Sequence, residues 1–429
     1  MKTIALLCAL GFANFLLAQN VTVYATGNAN DVQTDHEFGL LLAGGGGDND
    51  DAMRWLLQRA AGGDVVVLRA SGSDGYNDYL FSELNVPVNS VTTLLFNGAY
   101  TDADSSYAQQ IREAEAVFLA GGDQRDYVDY WRGTPIETAI NYLLTEKRAA
   151  VGGTSAGMAI LGQLYYAPTG GSVYSDEALA NPYIDFLENG LTTTPDFLQT
   201  PFLENTITDT HWADRDREGR TVAFLARLSS AQNERTYAIA CNEYTAVGID
   251  SLGIARVFGE TPQYPDYAHF LAVNCQDEYL PETLASGTPL HWQRGGAAVK
   301  VYRVGGTPSG NHTFNLNTWT DGTGGSWQNW SVVNGTLETS TIATSDCAET
   351  LTAEETPPPG ANLRVYPNPV KAAFHIVFPN SELNWTLYDA LGGTVRSGTQ
   401  SLVDVALLPP GIYHLHVTQG ESVRLVISR

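Results

Sequence analysis

The chain has 429 residues, 43% hydrophobic and 16% charged, which allows a large buried core and more than one folded unit and argues against disorder over most of the length. Its 23 Lys and Arg against 47 Asp and Glu give a formal charge of −24, uninterrupted by any basic run, so nucleic acid and other polyanions are excluded as partners.

Residues 1–19 read as an export signal. Lys2 supplies the positive start, 4–17 is an apolar run too short to span a membrane, and Ala18 is a small residue suited to cleavage. Cys8 leaves with the signal, and Cys241, Cys275 and Cys347 remain. Export permits a Cys241–Cys275 disulfide, but the pairing stays open, and three distant cysteines match no zinc pattern, so neither metal nor cofactor is expected.

The run 38–43 predicts a buried strand ending in four glycines, 44–47, and then a helix over 48–61 with Met53, Leu56, Leu57 and Ala60 on one face. Apolar runs at 65–68, 91–95, 116–120 and 149–152 predict further strands. Continuous apolar strands separated by helices predict an α/β unit built on a parallel sheet covered on both faces. The four glycines would suit a phosphate loop, but no Gly-Lys-Ser/Thr follows, and Asp48, Asp50 and Asp51 would repel phosphate. A tight turn with a helix cap is the reading.

Between about 260 and 345, Thr, Gly, Asn and Trp replace the helical periods, predicting short antiparallel strands appended to the first unit. The tryptophans of 313–333 would suit glycan stacking in a surface-binding protein, though core positions are their commoner use. Residues 354–360 form a charged, then proline-stiffened linker. The rest alternates as a small all-β sandwich. The expected boundaries are a signal at 1–19, an α/β unit at 20–260, a β-rich extension at 261–350, a linker at 351–361 and a β tail at 362–429.

Chemistry concentrates in a few residues. Gly153, Thr154, Ser155, Ala156 and Gly157 follow a strand in the pattern of a nucleophile elbow, where glycines permit the sharp turn that lifts a hydroxyl above the sheet. A serine nucleophile needs a base. His211, in Thr208-Asp-Thr-His-Trp212 before an amphipathic helix, has the best context; His269 and His291 also follow the α/β portion. His36, His312 and the tail's His375, His414 and His416 have poorer claims, the last two reading as a solvent-facing pair. Glu243, after an apolar strand, could orient the imidazole. Arg215, Arg217 and Arg220 would either pair with Asp214, Asp216 and Glu218 along a helix or bind a substrate carboxylate.

Four ordered blocks carry a resemblance: Leu-Leu-Ala-Gly-Gly-Gly at 41–46, Phe-Leu-Ala-Gly-Gly-Asp-Gln at 118–124, Gly-Gly-Thr-Ser-Ala-Gly at 152–157, and Asp-Thr-His-Trp with three spaced arginines at 209–220. Together they resemble the cyanophycinase and peptidase E family of serine peptidases, and the arginine register resembles its cyanophycinase branch. The resemblance implies a flavodoxin-like sheet and a relay of Ser155 as nucleophile, His211 as base and Glu243 as orienting acid. It also implies an oxyanion site at the amides near Gly122 and Ala156, and a substrate pocket of Gln124, Thr210, Arg215, Arg217 and Arg220 that receives aspartyl carboxylates. Members cleave aspartyl bonds, and cyanophycinases release β-Asp-Arg dipeptides from arginine-decorated polyaspartate; the family also allows a homodimer. Thr210 departs from the usual Gln, and the segment between Tyr165 and Asn205 also departs, so the exact aspartyl peptide stays open, an α-aspartyl dipeptide included.

Val-Tyr-Pro-Asn-Pro at 365–369, Leu-Tyr-Asp-Ala-Leu-Gly at 387–392 and Leu-Pro-Pro-Gly-Ile-Tyr at 408–413 resemble the C-terminal sorting domain of type IX secretion. That implies a Bacteroidetes-type bacterium, the type IX machinery as partner, and a secreted or cell-surface location. A lipase of the α/β-hydrolase fold fits poorly, because that fold places its acid between serine and histidine. The competing class is an inactive surface adhesin on the same fold.

Overall fold

Strands that are apolar at every position must bury both faces, and that requirement organises the larger part of this protein. The computed structural model describes residues 20–101 and 104–344 and, in the tail, 364–366, 370, 373–377, 383–389, 393–409, 411–417 and 422–427. Two compact units divide the chain, residues 1–348 and 349–429. The export signal, the linker and Cys347 lie outside the described residues.

The strands of the first unit, in chain order, begin with β1 (Val21–Gly27), β2 (Gly39–Ala43), β3 (Asp64–Arg69), β4 (Ser90–Phe96), β5 (Ala116–Leu119) and β6 (Ala150–Thr154). Then come β7 (Thr206–Asp209), β8 (Tyr237–Cys241), β9 (Ala246–Ile249), β10 (Ile254–Phe258), β11 (Tyr267–Val273), β12 (Val299–Gly305), β13 (His312–Asn315), β14 (Gly322–Thr323), β15 (Gly325–Val333) and β16 (Thr336–Ile342). A ten-stranded sheet runs β1-β4-β3-β5-β6-β2-β9-β10-β13-β14. Its central block, β4-β3-β5-β6-β2, is parallel as expected.

Alternate residues of that block feed two cores. Leu40, Leu42, Val66, Leu68, Val117 and Val151 pack on one face, while Leu41, Val65, Val67, Ala116, Phe118 and Ala150 pack on the other. The helix after β2 is Asp50–Arg59, shorter than 48–61. Its start is set by Asn49, whose side chain accepts from the Ala52 amide, with Asp50 and Asp51 in the first turn.

The sheet is mixed at both ends. β1 closes one edge antiparallel to β4, and β9, β10, β13 and β14 extend the other edge antiparallel. The remaining strands make a second, six-stranded sheet, β16-β15-β12-β11-β8-β7, in which only β7 and β8 are parallel. The region read as a β-rich extension therefore supplies strands to both sheets. Trp212, Trp292 and Trp330 are buried in a third core with the helix Glu218–Gln232, and Trp327 is buried in the first. Trp319, the third tryptophan of 313–333, is partly buried against the first core, so the segment's tryptophans serve packing.

Cys241 is a buried free thiol, whereas Cys275 is disulfide-bonded, so the permitted Cys241–Cys275 pairing does not form. The β8–β11 ladder explains why: Cys241 stands opposite Ala268 at one end, while residue 275 lies beyond Ala272, which stands opposite Tyr237 at the other.

In the tail unit, Arg364–Tyr366, Ala373–Val377 and Leu402–Asp404 form one antiparallel sheet, and Trp385–Tyr388, Thr394–Gly398, Gly411–Val417 and Ser422–Ile427 form a second. Phe374, Ile376, Trp385, Leu387, Val403 and Leu415 fill its core. His414 and His416 are exposed, as a solvent-facing pair should be.

Candidate active site

β6 delivers Ser155 in a backbone conformation that L-residues rarely adopt, φ 52° and ψ −115°. Its amide donates to the Ala43 carbonyl at the end of β2, 3.0 Å away. The flanking glycines are required by space. A Cβ at Gly153 would lie 2.5 Å from the Gly157 carbonyl carbon, and one at Gly157 would collide with the Leu119 carbonyl of β5. The pentapeptide is thus a tight elbow wedged between β5 and β2.

The base comes from the second sheet. Parallel strands β7 and β8 end side by side, β7 running into Thr210 and His211, and β8 into the loop that carries Glu243. His211 Nε2 lies 2.7 Å from Ser155 Oγ, and His211 Nδ1 lies 2.5 Å from Glu243 Oε1. A carboxylate can only accept, so Nδ1 carries the proton and Nε2 accepts from the serine hydroxyl. Burial holds the imidazole below its ordinary pKa; Glu243 opposes this, and Arg215 and Arg217 add to it. At neutral pH the ring is therefore neutral, the form able to take a proton.

The four glycines do more than turn. The His211 amide donates to Gly44 O and the Tyr244 amide to Gly45 O, at 2.8 and 2.9 Å. A Cβ at Gly45 would stand 2.5 Å from the His211 ring, and one at Gly46 would stand 2.8 Å from Glu243. Bare backbone at 44–46 is what lets the two loops of the second sheet close over Ser155. The helix cap expected after this turn is Asn49.

The remaining expected residues divide. Gly121 lies beside the elbow, since a Cβ there would be 3.5 Å from Ser155 Cβ, whereas one at Gly122 would face Ser71 and Tyr127; Ala156 is buried at the position after Ser155. Gln124 opens the helix Gln124–Trp131 and donates to Tyr166 O at 3.2 Å. Arg215, half exposed, reaches within 3.7 Å of Glu243 Oε1. Arg217 donates to Thr210 O at 2.7 Å, and burial, aided by neighbouring Arg220, pushes its pKa down to about 10.

Arg220 departs from expectation. It is 3% exposed, and its guanidinium is bound in bidentate fashion by Asp209, with Nε–Oδ2 2.9 Å and Nη2–Oδ1 2.5 Å. Ser172 Oγ and Val173 O accept from its Nη1. Burial alone would raise the Asp209 carboxyl, but Arg220 holds it below the usual range. Arg220 therefore serves as the counter-charge of a buried carboxylate at the end of β7, with its guanidinium turned to Asp209, Ser172 and Val173. The alternative of pairing along the helix is also not formed, since these arginines turn to Asp209, Thr210 and Glu243.

The other candidate bases lie elsewhere. His269 is buried with its ring centroid 4.2 Å from that of Trp212, and His291 accepts from the Asn334 amide. His36 and His312 bond to peptide carbonyls. Beside the relay opens a cavity of about 630 Å³, lined by Asp48, Asp214, Glu243, Tyr244, Tyr264 and Asp266 among others. Nothing in the spacing of these residues announced it, because they converge from four separate segments.

Comparison with known proteins bears on both units. Residues 364–428 match the secretion system C-terminal sorting domain. The tail is thus a type IX sorting domain, which directs a protein to the cell surface or beyond. A cyanophycinase of Synechococcus elongatus is 27% identical over 251 residues, covering 54% of this chain and 71% of that protein. A cyanophycinase of Geminocystis herdmanii is 28% identical over 174 residues, 39% of this chain and 58% of that one. Among solved structures, a peptidase from an acI-B1 actinobacterium aligns at TM-score 0.41 and 13% identity, over 66% of this chain and 98% of that chain. Cyanophycinases are therefore homologues of about half of this chain, which supports a secreted peptidase.

Proposed function

We propose that this protein is an exported serine peptidase of the cyanophycinase type, cleaving aspartyl peptide bonds, most naturally β-aspartyl bonds of Asp-Arg character. The observation that carries the reading is the unbroken line from Ser155 Oγ through His211 to Glu243, with spacings of 2.7 and 2.5 Å.

In this mechanism Ser155 Oγ attacks the scissile carbonyl while His211 Nε2 takes its proton. Glu243 holds the imidazole in the required tautomer and stabilises the imidazolium as it forms. The amides near Gly122 and Ala156 receive the developing oxyanion. His211 then returns the proton to the departing amine, and water activated by the same nitrogen hydrolyses the acyl-enzyme. Arg215, the exposed guanidinium of the three, would meet the aspartyl carboxylate, with Gln124 and Thr210 bordering it. Arg217 supports the Thr210 carbonyl from behind. Binding without catalysis has less support, because Trp327 and Trp330 are buried and Trp319 is partly buried against the first core.

The test is to incubate the purified protein with β-Asp-Arg polymer and with α- and β-aspartyl dipeptides, and to treat it with a fluorophosphonate. Release of dipeptide and labelling at Ser155 are expected. No turnover on any of them, with Ser155 unlabelled, would overturn the reading.

A further inference from the structure

Glu243 sits in a loop whose other amides are held by peptide carbonyls. Asn242 N donates to Tyr267 O, Tyr244 N to Gly45 O and Thr245 N to Asn242 O. The Glu243 amide alone of these four ends on a side chain, donating to Asp214 Oδ2 at 2.9 Å. Asp214 belongs to the single turn Ala213–Arg215 that follows His211.

That turn touches the Glu243 loop at several successive points. Trp212 N donates to Cys241 O at 3.2 Å and Ala213 N to Asn242 Oδ1 at 3.4 Å. Asp214 takes the Glu243 amide, and Arg215 Nη2 lies 3.7 Å from Glu243 Oε1. One turn therefore grips both ends of Glu243, its backbone through Asp214 and its carboxylate through Arg215. The same turn is tied to the residue whose ring Glu243 must orient, since Arg215 N donates to His211 O at 3.0 Å.

We infer that Asp214 is a positioning residue: by accepting the Glu243 amide it fixes the approach of the Glu243 carboxylate to His211 Nδ1. The inference rests on the catalytic reading of Ser155, His211 and Glu243. Its physical basis is leverage. The Glu243 Cα is set by the amide bond, and the 2.5 Å contact with His211 at the end of the side chain magnifies any shift there. Small misplacements in a relay cost rate far more than they cost binding. Asp214 is itself exposed, so water competes for its bond and the fold does not depend on it.

The experiment compares the labelling rate of Ser155 by a fluorophosphonate in the full chain, in Asp214→Ala and in Asp214→Asn, with thermal midpoints beside them. Asparagine keeps one acceptor oxygen at the same reach, while it loses the charge and carries an amide donor in place of the second oxygen. The expected result is labelling slowed roughly tenfold in Asp214→Ala, near wild-type labelling in Asp214→Asn, and unchanged midpoints. Hydrolysis by Asp214→Ala should lose kcat with KM held. Wild-type labelling rates in Asp214→Ala would overturn the inference. So would equal slowing in both variants, which would make charge the cause, or a variant that fails to fold, which would make the role structural. An unlabelled wild type would instead remove the catalytic reading, and the positioning role with it.

Discussion

A Cβ placed on Gly45 would stand 2.5 Å from both Cε1 and Nε2 of His211, closer than side-chain carbons approach other atoms. Gly45 also has φ +94°, which an L-residue adopts only with strain. Gly45→Ala should therefore push the imidazole off Ser155 and cost roughly a hundredfold in kcat. The backbone strain should cost about 1–2 kcal/mol of stability. Steady-state kinetics beside urea unfolding checks this; a Gly45→Ala enzyme with wild-type kcat would show that the glycine hook is not shaped by His211.

Much of this arrangement was legible in the sequence and some was not. Apolar runs such as 65–68 and 116–120 announced parallel strands because burial on two faces leaves no other composition. Ser155 was legible because its elbow needs glycines at fixed offsets, and His211 and Glu243 because their neighbourhoods resemble a family. That the histidine and the glutamate come from a second sheet was not legible, since β7 and β8 read like any other buried strands. Nor was the fate of Arg220. Three arginines in one register look alike until the fold places Asp209 beneath one of them. The role of residues 44–46 was hidden for a similar reason, because a glycine records that space is short without recording what fills it.

Glu243 should matter through orientation and charge together. Glu243→Gln keeps a side chain of nearly the same shape but offers His211 Nδ1 a neutral partner, one that can also present donors to it and favour the wrong tautomer. A fall in kcat of about 10²- to 10⁴-fold is expected, with KM changed little. His211→Asn should lose comparable activity. If either variant kept half of the wild-type kcat, the relay would not be the route of proton transfer.

The pH dependence follows from the direction of the His211 shift. Burial, with Arg215 and Arg217 behind it, holds the imidazole below 6.5, so kcat/KM should rise along an acid limb centred below that pH and then plateau. Removing a nearby cation makes the imidazolium easier to form. Arg215→Gln should therefore move the limb to higher pH, and a shift to lower pH would contradict the assigned electrostatics. KM should rise as well, because Arg215 is the exposed guanidinium proposed to meet substrate.

Stability should show its own acid limb from His269. This buried ring is held well below its ordinary pKa, first by burial and then by Arg303, and it packs at a tilt against Trp212. A base whose folded pKa is depressed leaves the fold at full stability above the unfolded value near 6.5. Below that pH the unfolded chain takes up a proton that the folded chain refuses, and stability falls. His269→Phe keeps an aromatic ring against Trp212 and removes the proton site, so urea midpoints measured between pH 7 and 5 should fall less steeply in the variant. Equal slopes would assign the acid sensitivity to other groups.

The Asp209–Arg220 pair should behave as a strut and not as a substrate contact. Both partners are at most 4% exposed in their side chains, and Thr221 Oγ also donates to Asp209 while accepting from Trp212 Nε1. Arg220→Met would strip a buried carboxylate of its bidentate partner and leave Arg217, 3.8 Å away, as the remaining cation, a loss of about 3 kcal/mol. The cost should appear as a lowered unfolding midpoint. The folded fraction, read by active-site titration with a fluorophosphonate, should retain KM close to wild type. A stable Arg220→Met protein with a greatly raised KM would return Arg220 to the substrate pocket.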